Sequence, residues 1–330
     1  MDKISIIVPV FNRVESLELT LIGFMQQSYK NFEIIIVNDG GIATIEDVVN
    51  KFKNDMDIKY IYQQHLGRAA TRNRALGIAS GEYLIFNDDD RIPSRDFLYH
   101  HLRILQENRD VVTIGKKHEL LHNKEFLPQI DSTKVIEFAR KNVDSYQKIF
   151  CDEEKCTFTA SDLNNKFDST LNKWDFGISG DNRIDVINSY GNNLAEVRLG
   201  WMLATTANIG VNRAKFEPII FDEMYQGWGM EDTDYAYQLY KNGAKFQYVP
   251  GAINYHQVHY RDDDNFTQLR ENIRFFCYKY PGLEVYLCSS VLKRILTIQE
   301  ANDVLNKLHE CNNPQLVKTF MAMSRYISNS

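Results

Sequence analysis

Asp88, Asp89 and Asp90 are three consecutive carboxylates that follow directly on the apolar run Tyr83 to Phe86 and Asn87. Carboxylates at i and i+2 can point to the same side, which suits a hard divalent cation such as Mg²⁺ or Mn²⁺. An isolated Asp triplet is more often a solvated acidic turn. Position distinguishes this one, because a buried strand that ends on it would aim it into the crevice where α/β folds bind ligands. The second triplet, Asp262-Asp263-Asp264, has no such strand before it and reads as a loop.

Four further segments carry candidate chemistry. Asn38-Asp39-Gly40-Gly41 follows the run Phe32 to Val37; its carboxylate could accept from the imide N–H of a uracil, although Asn-Asp-Gly is also plain turn chemistry. Gly67-Arg68-Ala69-Ala70-Thr71-Arg72-Asn73 sets two guanidinium groups at a helix start, suited to a diphosphate or to the Asp cluster. Trp228-Gly229-Met230-Glu231-Asp232-Thr233-Asp234 leads into a helix whose dipole alone could account for its acids. The functional reading makes Trp228 the wall of a sugar pocket and Asp232 a base for a hydroxyl proton. Tyr255-His256-Gln257-Val258-His259 offers imidazoles that could complete a mixed oxygen/nitrogen site suited to Mn²⁺. Three residues apart, the two histidines lie on opposite faces of a strand, so one ligand is expected from the pair.

The elements that must position these residues alternate along the chain. Strands are expected at Ile4 to Val10, Phe32 to Val37, Ile58 to Gln63, Tyr83 to Phe86 and Val111 to Ile114. Val14, Leu17, Leu21 and Phe24 recur at helical spacing, and Asn12 with Glu15 forms a capping-box-like start. Further helices are expected at Ile45 to Lys53, Arg68 to Ala79 and Phe97 to Glu107. This order implies an α/β sheet with helices on both faces. From Lys116 to about Gly200 the pattern weakens. It returns at Ala204 to Val211, then with a helix from about Asp232 to Asn242, a strand Phe246 to Val249 ended by Pro250-Gly251, and a helical tail in which Asn265 caps a helix through Cys277.

Composition excludes several classes. The chain has 330 residues, with 44 acidic and 38 basic side chains and a formal charge of -6. That balance argues against a general nucleic-acid or anionic-membrane binder, while leaving room for a local cationic pocket. Five scattered cysteines without a Cys-x-x-Cys pair suggest neither a zinc ribbon nor a disulfide framework. Cys151 and Cys156 could meet, but free thiols in a reducing cytoplasm fit better. The N-terminus lacks a signal-peptide pattern and the apolar runs are too short to span a bilayer. No G-x-G-x-x-G follows the first strand, and no P-loop is present.

In this order the segments resemble a family 2 glycosyltransferase with a GT-A fold. They are Ser5 to Arg13, Glu33 to Gly40, Gly67 to Asn73 and Gly81 to Asp90, together with Phe221-Asp222-Glu223 to Asp232, which is similar to the acceptor-side WGxED motif of galactosyl- and N-acetylgalactosaminyl-transferase-like members. The resemblance implies a Rossmann-like, mixed but mainly parallel sheet flanked by helices, with a C-terminal helical extension. It implies a GT-A catalytic domain over 1–262, made of a nucleotide-binding half 1–115, a variable region 116–203 and an acceptor half 204–262, followed by helices over 263–330.

It also assigns roles. Pro9, Phe11, Asn12, Asp39, Gly67, Arg72, Asp88 and Asp89 would line the nucleotide site, with Asp39 on the base. Asp88 and Asp90 form the D-x-D pair, and His256 matches an additional metal ligand. Asp232 would be the general base and Glu231 an acceptor-binding partner. Asn38-Asp39-Gly40-Gly41 stands where Asp-Asp-Gly-Ser is usual, and the Q-x-x-R-W motif of processive synthases is absent.

The expected activity is metal-dependent, inverting and non-processive transfer of a hexose or N-acetylhexosamine from a UDP-sugar. The acceptor would be a hydroxyl of a glycan, a lipid-linked sugar or a peptide. Mn²⁺ or Mg²⁺ would be the cofactor, with no nucleic-acid partner and no transmembrane segment, and with action in the cytoplasm or at the inner face of the membrane. A sugar-nucleotide nucleotidyltransferase would need a Gly-rich, basic loop after the first strand, and Pro9-Val10-Phe11-Asn12-Arg13 is not one. A binding module that has lost catalysis is the non-enzymatic rival. In the tail, Leu316, Val317, Phe320, Met321 and Ile327 form an apolar stripe that would either dock a partner or pack back on the body, the latter being the commoner fate.

Overall fold

The computed structural model describes residues 2–42, 44–141, 154–177, 183–259, 265–311 and 313–329. Among the described residues nine strands form a single sheet: β1 Ile4–Val10, β2 Phe32–Asp39, β3 Ile58–Gln63, β4 Tyr83–Asn87, β5 Arg91–Pro93, β6 Val111–Leu120, β7 Asp175–Gly177, β8 Asn208–Asn212 and β9 Lys245–Gln257. The order is β3-β2-β1-β4-β8-β6-β9-β5, with β7 alongside β6. β3, β2, β1 and β4 run parallel, as do β6 and β9, the last pair with the longest register. β8 is antiparallel to both its neighbours. The expected mixed, mainly parallel α/β sheet is therefore present.

Period-two alternation divides the core into two layers. Ile6, Val8, Ile34, Ile36 and Ile85 face one side. Ile7, Ile35, Val37, Leu84 and Phe86 face the other. Helices Val14–Met25, Thr44–Phe52 and Phe97–Glu107 cover the first layer. Helices Arg68–Leu76 and Glu231–Lys241 cover the second, together with the tail helices Asn265–Lys279, Leu283–Leu292, Ile298–Glu310 and Pro314–Asn329. Leu316, Val317, Phe320 and Met321 pack onto this second layer, so the described part of the tail stripe folds back on the body. The side chain of Ile327, the Asp262-Asp263-Asp264 triplet and Cys151 lie outside the described residues. No helix among the described residues is long and apolar enough to cross a membrane.

Two local expectations are corrected. Asn12 is not a cap: it has φ 57°, and its Oδ1 accepts from the Ile42 N–H at 2.9 Å, while Arg13 occupies the cap position without a side-chain bond. The side chain therefore ties the β1 end to the turn after β2. Pro250-Gly251 does not end its strand either. β9 runs on to Gln257, and the β6–β9 register jumps from Gly115↔Val249 to Lys116↔Ile253. Pro250 has no N–H to give the ladder, and the chain bulges there instead of stopping.

The bulge leaves carbonyls that β6 and β9 no longer satisfy. Asn208 from β8 donates its Nδ2 to Lys116 O at 3.0 Å and Ala252 O at 3.1 Å. A Cβ on Gly115 would sit 2.0 Å from Asn208 Oδ1, so only glycine leaves room for this plug. His101, fully buried, orients it: Nε2 meets Asn208 Oδ1 at 2.9 Å and Nδ1 meets Thr113 Oγ1 at 2.7 Å. With both Asn208 N–H groups given to carbonyls, His101 must donate from Nε2. Burial pushes the His101 imidazole down to about 4, so it stays neutral near pH 7.

The region 116–203, weak in sequence, contains short elements with local signals. Thr159 and Asp162 make a reciprocal capping box for helix Ala160–Asn165. Helices Phe167–Trp174 and Arg183–Tyr190 follow, and the Trp174 and Phe176 rings both pack on Phe138.

Candidate active site

The chain leaves β1 toward β2 and β3 on one side and reaches β4 on the other, so strand order reverses beside β1. Ligands of such sheets bind at that reversal, outside the carboxyl ends of the strands. Phe11-Asn12-Arg13, Asp39 and Asp88-Asp89-Asp90 all emerge there, after β1, β2 and β4 respectively.

Asp39 is buried, and its carboxylate already holds three hydrogen-bond donors. Oδ1 accepts from Leu66 N at 2.8 Å and Gln63 Nε2 at 2.7 Å; Oδ2 accepts from Gly67 N at 2.9 Å and faces His65 Nδ1 at 2.9 Å. It thereby fixes the loop entering helix Arg68–Leu76, and His65 Nδ1 donates to the Asp39 backbone O at 3.0 Å. Gly67, with φ 92°, supplies the left-handed turn at that entry. The half-exposed Phe11 ring lies 4.8 Å from the His65 ring, leaving an aromatic edge beside Asp39. Pro9 pairs with Val37 in the β1–β2 ladder just below it.

The Asp triplet divides its tasks. Asp88 turns to two arginines, with Oδ1 3.5 Å from Arg72 Nη2 and Oδ2 3.8 Å from Arg91 Nε. Asp89 is buried, and burial next to Asp90 raises its carboxyl well above the ordinary range. Asp90 is buried against Arg13, His256 and His259. Burial would raise its carboxyl, but His256, His259 and Arg13 outweigh that and hold it well below the ordinary range. Gln257 N donates to Asp90 O at 2.9 Å, so the end of β9 is stitched directly to the triplet.

Asp90, His256 and His259 offer ligand atoms all within 4.8 Å of one another. Asp90 Oδ1 is buried with no hydrogen-bond partner, an orphan that a cation would satisfy. Burial and Arg91 push His256 down to about 4, leaving the neutral imidazole that metals bind. The donor set fits a divalent ion of the Mn²⁺ type. Two differences from the sequence expectation stand out. Asp88 is not in this group. His259 is, because β9 ends at Gln257 and strand alternation no longer governs the second ring.

Across the cleft, Glu231 and Asp232 open helix Glu231–Lys241. The buried Arg72 joins them to the triplet: Nη1 lies 3.2 Å from Glu231 Oε1 and 3.4 Å from Asp232 Oδ1. Its guanidinium also stacks 5.5 Å above the Phe221 ring, which in turn stacks on Tyr235. Burial and the neighbouring Asp232 raise the Glu231 carboxyl. Asp232 is partly exposed, with 24% of its side chain accessible, and Thr206 donates to it from Oγ1 at 2.6 Å and from N at 3.2 Å. Sequence reasoning missed Thr206 and Arg13 as site residues. Thr206 carried no sequence signal, whereas Arg13 ends the first segment of the family resemblance.

Strand ends, a reversal of strand order and convergent acids bridged by one buried arginine define an α/β protein with its ligand site at the sheet's carboxyl edge. The family model described as Glycosyl transferase family 2 matches residues 5–164, just under half of the chain. The chain is 25% identical over 302 residues to the uncharacterized glycosyltransferase YfnE of Bacillus subtilis (strain 168), covering 85% of this chain and 71% of that protein. It is 28% identical over 263 residues to an Escherichia coli chondroitin synthase, covering 78% of this chain but 35% of the synthase. In fold it resembles S. aureus TarS 1-349 in complex with UDP-GlcNAc, with a TM-score of 0.54, 16% identity, and 83% of this chain and 65% of that one covered. The chain thus spans about a third of the chondroitin synthase and just under two thirds of the TarS fragment.

Proposed function

We propose that the chain transfers a hexose or N-acetylhexosamine from a UDP-sugar to a hydroxyl of a glycan, lipid-linked or peptide acceptor, with inversion and without processivity, in polysaccharide or glycoconjugate synthesis. The observation that carries this reading is Arg72, which holds Asp88 on one side and Glu231 and Asp232 on the other. It brings a donor-side and an acceptor-side carboxylate set into one cleft. The chondroitin synthase and the UDP-GlcNAc complex of TarS support the choice of donor class by likeness.

In this reading Phe11 and His65 flank the base beside Asp39, and Arg72 with the exposed Arg68 lies toward the diphosphate. Asp90, His256 and His259 would hold a divalent cation, whose chemistry is to offset charge that develops on the departing diphosphate. Asp232, partly exposed and steadied by Thr206, takes the proton from the acceptor hydroxyl, while Glu231 orients that acceptor. Attack opposite the leaving group inverts the anomeric carbon through an oxocarbenium-like state. Residues 1–262 would form the catalytic domain, acting in the cytoplasm, with 263–330 as its helical extension.

The experiment is a thermal-shift panel of nucleotide sugars and free nucleotides, with and without Mn²⁺. Stabilisation that needs the metal and is confined to uridine nucleotides is the expected outcome. Stabilisation by other nucleotide sugars alone, or by none, overturns the donor assignment.

A further inference from the structure

The segment Gln226-Gly227-Trp228-Gly229-Met230, which delivers Glu231 and Asp232, has an unusual backbone. Gly227, Gly229 and Met230 have φ of 70°, 91° and 79°, all in the left-handed region. Met230 is not a glycine, and a side chain held there persists only where its surroundings dictate it. Those surroundings come from helix Asn265–Lys279, near the C-terminus. The buried Asn272 shares its two Nδ2 hydrogens among three carbonyls: Gln226 O at 3.0 Å, Trp228 O at 3.3 Å and Gly229 O at 2.9 Å. Gln268 Oε1 accepts from Trp228 N at 2.9 Å.

The fit is close. A Cβ on Gly227 would fall 2.3 Å from Gln268 Oε1, and one on Gly229 would fall 2.9 Å from Leu269 Cδ1. One helix turn past Phe275, Lys279 donates from Nζ to Asp222 Oδ2 and to Asp234 Oδ2, both at 2.6 Å. Asp234 is fully buried and also accepts from Tyr225 and Gln238. The loop start and the helix behind Asp232 are therefore pinned to the same tail helix.

We propose that helix Asn265–Lys279 is a clamp that sets the geometry of the acceptor side, with Asn272 and Gln268 as positioning residues for Trp228, Glu231 and Asp232. None of their bonds reaches Asp39, Asp88 or Asp90, so the clamp acts directly on acceptor alignment and meets the donor side only through the contacts of Arg72 with Glu231 and Asp232. This rests on the transferase reading. Small misplacements of a reacting group cost up to about 10²-fold in rate.

The test is Asn272→Asp in the full chain, which turns a donor amide into a carboxylate facing three carbonyl oxygens. Amide exchange is followed over Gln226 to Met230, and nucleotide-sugar affinity by calorimetry with the sugar that stabilises the protein most in the panel. Transfer to 4-nitrophenyl hexosides is compared with hydrolysis of the same donor. Exchange over the loop rises about tenfold, transfer falls about tenfold or more, and donor affinity and hydrolysis stay within twofold. Unchanged exchange, unchanged transfer, or donor affinity falling in step with transfer overturns the clamp. If Asn272→Asp does not fold, the exposed Gln268→Ala is read the same way and decides. A wild-type protein that transfers nothing sinks the transferase reading alone, because loop exchange still judges the clamp.

Discussion

Arg72 and Glu231 are 159 residues apart in sequence, yet Nη1 and Oε1 are 3.2 Å apart, both side chains buried. A buried pair of this kind gains little net stability over an apolar pair, but removing one member leaves an uncompensated group behind. Its position between the two halves of the cleft makes it an alignment device.

Arg72→Met is therefore expected to lower stability by about 3 kcal/mol, in the range for a broken buried pair. Glu231→Gln added to it should return part of the loss, because the raised Glu231 carboxyl needs a positive neighbour only while it is ionised. Denaturant melts of the single and double variants check this. A double variant less stable than Arg72→Met would refute the coupling.

Asp232→Asn removes the proposed base while keeping shape and the contact with the Thr206 hydroxyl. Transfer is expected to drop about 10²- to 10⁴-fold, with nucleotide-sugar affinity unchanged. Single-turnover rates and calorimetry separate the two. Turnover near wild type would end the assignment of Asp232.

Chelation with EDTA should abolish transfer and Mn²⁺ should restore it. His256→Ala and His259→Ala should each raise the Mn²⁺ concentration needed for half-activity, if both rings ligate as their shared approach to Asp90 suggests. A metal titration identical to wild type in either variant would remove that ring from the set.

Stability should fall as pH drops below about 6.5, the unfolded histidine value, because the unfolded chain takes a proton that His101 refuses until about 4. The sign is that of a depressed histidine: its contribution is complete above the unfolded pKa and shrinks on acidification, reaching about 3 kcal/mol lost near pH 4. In His101→Gln the pH slope of the unfolding free energy between 4 and 6.5 should flatten. An unchanged slope would show that another group is responsible.

The sheet and the rough place of the site were readable because both depend on short-range pattern. Runs such as Ile34 to Val37 are apolar on both faces, as a strand covered on both sides must be, and acids right after such runs mark the carboxyl edge. Contacts that depend on distant partners were not readable. Asn12 looked like a cap because Asn and Glu stood three apart, but its amide is taken by a turn thirty residues away. Pro250-Gly251 looked like a stop because nothing nearby hints that Asn208 fills the bulge. The two histidines were counted along one strand, and β9 ends at Gln257, before the second of them.

The bulge at Pro250 to Ala252 has a consequence for sequence length. Three residues of β9 stand there against none on β6, an odd insertion that exchanges the two faces of everything behind it. Delete one, and the tail either slips by a residue, swinging His256 away from Asp90, or must cross the same gap with a shorter chain. At this point the parity of the chain decides which face carries the imidazole.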